Sequence, residues 1–161
     1  MPEKRYLTDS DLHNRLQRII KQMSDDNWKP ELIIGITRGG AIPAVMLSHY
    51  FNCKMVGCDV SLRDDNEGYG PESNCWAAED AINGKRTLIV DDINDSGATI
   101  NWIVNDWGDE VKWQDTVRFA ALVDNLASKA SQPPNYFGEE INKVEKDEWI
   151  VFPYENWWEA K

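Results

Sequence analysis

One stretch limits what this chain can fold into more than any other. Residues 88–99 read Leu-Ile-Val-Asp-Asp-Ile-Asn-Asp-Ser-Gly-Ala-Thr. The apolar run from Thr87 to Val90 is typical of a strand buried on both faces, and Asp91 and Asp92 end it. After a short loop, Ile100, Ile103, Val104 and Trp107 recur at i, i+3, i+4 and i+7, the apolar face of an amphipathic helix. Strand, polar loop and helix N-terminus in direct succession belong to a parallel α/β sheet. In such sheets ligands bind where strands end and helices begin.

The chemistry of the loop suits a phosphate. Gly97 and Ala98 have little or no side chain, so the backbone can close on an anion. The first amides of the following helix lack intrahelical partners and sit at its positive end. Ser96 and Thr99 add hydroxyl donors. Asp91 and Asp92 would repel a phosphate, but they suit a neighbouring diol or a Mg²⁺ ion. A phosphate beside a diol is a ribose 5-phosphate. An ordinary strand–turn–helix capped by Asp95 or Ser96 explains the cap; it does not explain the aspartate pair, the second hydroxyl and the small residues together.

These residues resemble the phosphoribosyl-pyrophosphate (PRPP) signature of type I phosphoribosyltransferases: an apolar strand, two acids, then an acid, Ser or Thr, Gly, any residue and Thr. The resemblance implies that Asp91 and Asp92 hold the ribose hydroxyls, with Asp92 contacting Mg²⁺. It implies that Asp95 hydrogen-bonds N7 of a purine and moves its proton, so that the catalytic residues are Asp91, Asp92 and Asp95. Ser96, Gly97, Ala98 and Thr99 would grip the 5-phosphate.

Composition narrows the classes. A chain of 161 residues is long enough for one α/β domain with a real core. Its net charge of −11 supplies no broad positive field for nucleic acid. Three cysteines without Cys-x-x-Cys spacing indicate neither a disulfide framework nor a zinc site. No signal peptide or apolar run of membrane-spanning length is evident, and a cytoplasmic protein is expected.

Two further stretches carry the resemblance. Residues 31–36 read as a buried strand running into Thr37-Arg38-Gly39-Gly40, then a helix over 41–50 with Pro43 in its first turn, where proline is tolerated. This is similar to the pyrophosphate loop of the bacterial xanthine–guanine type. Thr37, Arg38 and Gly39 would bind pyrophosphate, and the Thr37–Arg38 peptide would be cis. Near the C-terminus, Trp149-Ile150-Val151-Phe152-Pro153-Tyr154-Glu155 resembles the segment that closes the purine-using subgroup. Trp149 would stack on the base, the Ile150 backbone would bond its exocyclic group, and Ile93 would form the opposite wall.

The rest of the chain fills in around these motifs. Thr8-Asp9-Ser10-Asp11 caps a first helix over residues 9–23, with His13 at its surface. Residues 54–60 and 117–123 read as further strands. Residues 61–84 read as a long polar loop, where the family carries a flap; Ser61-Leu62 stands where Ser-Tyr is usual, so no flap residue is assigned. In purine-using members a lysine follows the strand that here ends at Asp124-Asn125, and the nearest is Lys129. Either Lys129 reaches back, or the base is read differently. Trp157 and Trp158 are assigned to packing at the C-terminus or a subunit contact.

The expected fold is α/β, a mainly parallel five-stranded sheet flanked by helices, with a small hood from the terminal segments. One domain is expected over residues 1–161, its core over about 31–125 and its hood from about 126–161 and the N-terminus. The implied activity is Mg²⁺-dependent transfer of a 5-phosphoribosyl group from PRPP to a 6-oxopurine in purine salvage, in a homo-oligomer such as a dimer or tetramer. A transferase for another acceptor and a non-catalytic PRPP or nucleotide sensor remain as alternatives.

Overall fold

Four largely apolar segments separated by helical ones leave few ways to bury both faces of a sheet, and the chain takes the doubly covered solution. The computed structural model describes residues 2–60 and 75–159. In chain order the elements are β1 (Glu3–Tyr6), α1 (Asp9–Asp25), β2 (Leu32–Thr37), α2 (Ala41–Phe51), β3 (Lys54–Asp59), α3 (Cys75–Ile82), β4 (Thr87–Asn94), α4 (Ala98–Trp107), β5 (Val117–Asn125), β6 (Tyr136–Ile141) and β7 (Glu148–Val151). The main sheet has the order β3-β2-β4-β5-β6, and every pairing in it is parallel. β1 and β7 form a separate two-stranded parallel ribbon.

Alternation along the strands decides which helices cover which face. Ile33, Leu88, Val90, Ala120 and Leu122 pack with Leu12, Leu16, Ile19 and Met23 of α1 and with Ala44 and Leu47 of α2. Their neighbours Leu32, Ile34, Ile36, Ile89 and Phe119 point the other way, onto Ala77, Ala78 and Ala81 of α3 and Ile100, Ile103 and Trp107 of α4. The central strand β4 is thus buried on both sides, and its polar end emerges only at Asp91.

Several elements depart from expectation. Residues 75–82 are helical, within the stretch expected to be loop. The three alanines of α3 are buried because they form one face small enough to lie flat on the sheet. The flap expected over 61–84 otherwise falls on residues 61–74, which lie outside the described residues. β4 runs four residues beyond Val90, since pairing with β5 continues through Asp91, Ile93 and Asn94. The sheet's fifth strand, β6, comes from the segment after residue 125. The first helix begins as expected: Thr8 Oγ1 accepts from the Asp11 amide and Asp11 Oδ2 accepts from the Thr8 amide, a capping box. His13 is exposed. Among the described residues, no helix is long and apolar enough to cross a membrane.

The ribbon is fastened to the sheet by one carboxylate. Glu139 of β6 accepts from Arg5 of β1 at 2.8 and 2.9 Å and from Arg15 of α1 at 2.8 and 3.3 Å. Burial alone would raise the pKa of Glu139, but the hydrogen bonds from Arg5 and Arg15 outweigh it and hold it below the usual carboxylate value. Glu139→Gln should therefore cost about 2–3 kcal/mol at neutral pH by removing the anion that Arg5 and Arg15 share. The depressed value means that this stability is present above the unfolded glutamate pKa of about 4.3 and is lost as pH falls through the folded one. Urea denaturation of both proteins at neutral and acidic pH would read this as a gap that closes in acid.

Candidate active site

The C-terminal ends of β2 and β4 meet the ribbon around an open cavity of about 1120 Å³. Its lining includes Thr37, Arg38 and Gly39 from the β2–α2 loop and Asp91, Asp92 and Ile93 from β4. It also includes Asp95 to Thr99 from the β4–α4 loop and Trp149 and Ile150 from β7. Every site residue singled out in the sequence therefore borders one space, although the three stretches lie far apart in the chain.

The β4–α4 loop is built to present backbone. Gly97, at φ +91°, is the residue before α4, and no side chain caps the helix there. Asp95 therefore does not spend its carboxylate on a cap, as an ordinary turn would have it; Ser96 Oγ accepts only from the Ala98 amide, at 3.2 Å. Glycine is needed at 97 twice over: its backbone is left-handed, and a Cβ would strike the backbone of Ala130. That neighbouring segment braces the loop, with the Lys129 amide donating to Ser96 O at 2.9 Å. Lys129 contributes through its backbone, and its side chain is not among those lining the cavity.

The β2–α2 loop lies against the aspartate pair. The Thr37–Arg38 peptide is cis, as expected. A Cβ on Gly39 would collide with Asp92 Oδ2, so only glycine lets the two loops approach. Tyr154, from the segment after β7, donates its hydroxyl to Gly39 O at 2.8 Å. Burial first, and then the Asp92 carboxylate, raise the pKa of that phenol, so it stays a donor throughout the physiological range.

Asp91 and Asp92 are adjacent, half-buried carboxylates on β4. Asp91 Oδ1 accepts from the Asp92 amide at 2.8 Å, and Asp92 Oδ1 accepts from the Ile93 amide at 2.7 Å. Burial, then repulsion from Asp92, push the pKa of Asp91 well above its usual value. Such a pair favours whatever brings protons or positive charge to it: ribose hydroxyls, or a cation. No group of three metal-ligating side chains occurs among the described residues. The donor set therefore fits an ion that two carboxylates share with ligand oxygens, as Mg²⁺ commonly does, and not one caged by protein alone.

Asp95 is held by groups the sequence did not single out. Asn125 Nδ2 donates to Asp95 O at 3.0 Å and to its Oδ1 at 3.3 Å, and Lys143 Nζ lies 3.1 Å from Oδ2. Beneath them Asn94 Nδ2 donates to Asp124 Oδ1 at 2.9 Å, tying the ends of β4 and β5.

Residues 5–156 match the phosphoribosyl transferase domain. The chain belongs to that family. Over 136 residues this transferase-family chain is 28% identical to xanthine phosphoribosyltransferase 1 of Saccharomyces cerevisiae, a match covering 71% of this chain and 65%, just under two thirds, of the yeast protein. It is 29% identical over 133 residues to a xanthine-guanine phosphoribosyltransferase of Cereibacter sphaeroides, covering 81% and 72% of the two chains. Among solved structures it is similar to a purine phosphoribosyltransferase from Pyrococcus horikoshii, with a TM-score of 0.71, 27% identity and 95% of each chain covered.

The aspartate pair yields a test independent of activity. Asp91→Asn keeps the acceptor for the Asp92 amide and removes the repulsion, so the ligand-free transferase should melt about 2–4 °C higher at neutral pH. The gain should shrink as pH falls through the raised pKa of folded Asp91, where the carboxyl takes up its proton, and be gone below the unfolded value of about 3.9. Calorimetry across pH reads both.

Proposed function

We propose that this chain transfers the 5-phosphoribosyl group of PRPP to a 6-oxopurine (hypoxanthine, guanine or xanthine) and releases pyrophosphate, a purine-salvage reaction. The observation that carries the reading is the single cavity. It joins an uncapped helix N-terminus, a carboxylate pair and an exposed indole, groups whose chemistry suits a phosphate, a sugar and a base. The names of the relatives, which act on xanthine and guanine, favour a purine acceptor.

Each group has a task set by its chemistry. The amides and hydroxyls of Ser96, Gly97, Ala98 and Thr99 bind the 5-phosphate, assisted by the helix dipole. Asp91 and Asp92 accept hydrogen bonds from the ribose hydroxyls and stabilise positive charge developing on the sugar as the bond to pyrophosphate breaks. Thr37, Arg38 and Gly39 receive the departing pyrophosphate; the Arg38 guanidinium matches its oxygens. Asp92 would hold Mg²⁺, which would supply positive charge for the departing pyrophosphate. The base lies between Ile93 and Trp149, with its exocyclic group on the Ile150 backbone. Asp95 accepts a hydrogen bond from N7 and takes up its proton, acting as a general base.

We further assign residues 1–161 to one transferase domain, place it in the cytoplasm and expect a homo-oligomer. The exposed Trp157 and Trp158 at 75% and 66% are candidates for the subunit contact.

A pyrophosphate-release assay with PRPP, Mg²⁺ and a panel of bases tests the reading. Turnover with at least one oxopurine, abolished by a chelator, is expected; PRPP binding without pyrophosphate release would make the chain a sensor. Asp95→Asn should lower kcat by about 10²- to 10⁴-fold while leaving PRPP affinity unchanged. Trp149→Ala should weaken base binding by about 1–3 kcal/mol, seen as a raised KM for the base.

A further inference from the structure

We propose that Tyr154 is a positioning residue for the leaving group: its hydroxyl holds the Gly39 carbonyl and so keeps that oxygen from facing the departing pyrophosphate. The inference deepens the transferase reading and rests on it.

A loop with two consecutive glycines has little in its own sequence to hold it. Glycine takes positive and negative φ about equally well, so a peptide between two glycines turns over at small cost. Neither residue can be exchanged for a stiffer one, because a Cβ on Gly39 would meet the Asp92 carboxylate and a Cβ on Gly40 would meet Val90 O. Rigidity has to come from outside, and two hydrogen bonds supply it. The Gly40 amide donates to Ile36 O at 2.7 Å, and Gly39 O accepts from Tyr154 Oη at 2.8 Å. One bond thus holds each edge of the same peptide plane. A Gly39 carbonyl released from Tyr154 is free to swing into the cavity that Gly39 lines. There its oxygen would oppose the negative charge of a departing pyrophosphate.

Tyr154 can hold the loop because it is itself held. Its ring stacks on fully buried Phe152, with centroids 5.7 Å apart and planes at 10°. The Glu155 amide donates to Phe152 O at 3.0 Å, closing a turn over Pro153 and Tyr154, and the proline fixes its own φ. The phenol packs against the core cluster that includes Ile33, Ala44 and Val90, beneath the loop it bonds. In such a partly screened place an acceptor that loses its donor is poorly compensated by water.

The same segment carries Trp149 at the base end of the cavity. Tyr154 and Trp149 line one space, and the Leu7 amide, donating to Val151 O at 2.9 Å, ties down the stretch between them. One short piece of chain therefore forms the base wall with an indole and sets the pyrophosphate loop with a phenol. The two contributions are separable, since the indole offers a face and the phenol a single O–H. Deleting the hydroxyl alone leaves the wall standing.

The test compares the wild type with Tyr154→Phe and Tyr154→Ala. The readouts are the Kd of pyrophosphate, by titration calorimetry with Mg²⁺ present, and the KM for hypoxanthine. Tyr154→Phe keeps the ring and its stack on Phe152; it should weaken pyrophosphate binding by about 5- to 30-fold and leave the KM for hypoxanthine unchanged. Tyr154→Ala, which also removes the support of the segment, should weaken both. Unchanged pyrophosphate affinity in Tyr154→Phe, or equal losses for pyrophosphate and hypoxanthine, would return Tyr154 to packing and overturn the assignment while leaving the transferase reading intact. A wild type that binds pyrophosphate but turns over no oxopurine would overturn the transferase reading, and the pyrophosphate comparison would still decide the role of Tyr154.

Discussion

Two consecutive carboxylates at the end of a buried central strand set the terms for this molecule. Asp91 and Asp92 cannot both be comfortable anions there: burial raises Asp91, and its neighbour adds to the penalty. Among the described residues no lysine or arginine neutralises them; such a partner would stabilise the free protein and block the site. The chain meets them instead with backbone amides, each carboxylate accepting from the residue that follows it. Part of the charge is left to be satisfied by a ligand, so the free protein is less stable than its core would permit, and the binding partner must bring hydroxyls or a cation.

Other contacts around the cavity follow from holding a loop against that pair. Gly39 lies where any side chain would meet Asp92, and Tyr154 secures the loop from the other side by bonding its carbonyl. That tyrosine arrives on the segment that follows the β1–β7 ribbon, and the ribbon is fastened by Arg5 and Arg15 converging on Glu139. An ion-pair cluster remote from the cavity thereby supports the wall that carries Trp149.

The sequence was most legible where local chemistry and periodicity agreed. Residues 88–99 betrayed a strand, a ligand loop and a helix because apolar run, glycine turn and helical stripe follow one another directly. Thr37 to Gly40 was legible for the same reason. Helix α3 was missed because its helical signal is three alanines in a polar neighbourhood, and small residues give a weak hydrophobic pattern. The strand β6 was hidden by charge: Glu139 and Glu140 read as solvated residues, and only the fold reveals that Glu139 faces two arginines. Lys143 was unreadable in principle. It lies in a charged run, and nothing near it in sequence says that its side chain crosses to an aspartate 48 positions earlier. Asn125 was noticed as a departure, since a lysine is common near that point in purine-using relatives, but its role as the anchor for Asp95 and Lys143 exists only in three dimensions.

The central claim is that the amides from Ser96 to Thr99 take the phosphate of a sugar whose hydroxyls face Asp91 and Asp92. A crystal structure of the chain with PRPP and Mg²⁺ addresses it most directly. The account predicts the 5-phosphate on those amides at the N-terminus of α4, with the ribose diol within hydrogen-bond distance of both aspartates and the pyrophosphate against Arg38. A donor bound with its pyrophosphate on the β4–α4 loop, or with its diol turned away from Asp91 and Asp92, would contradict it.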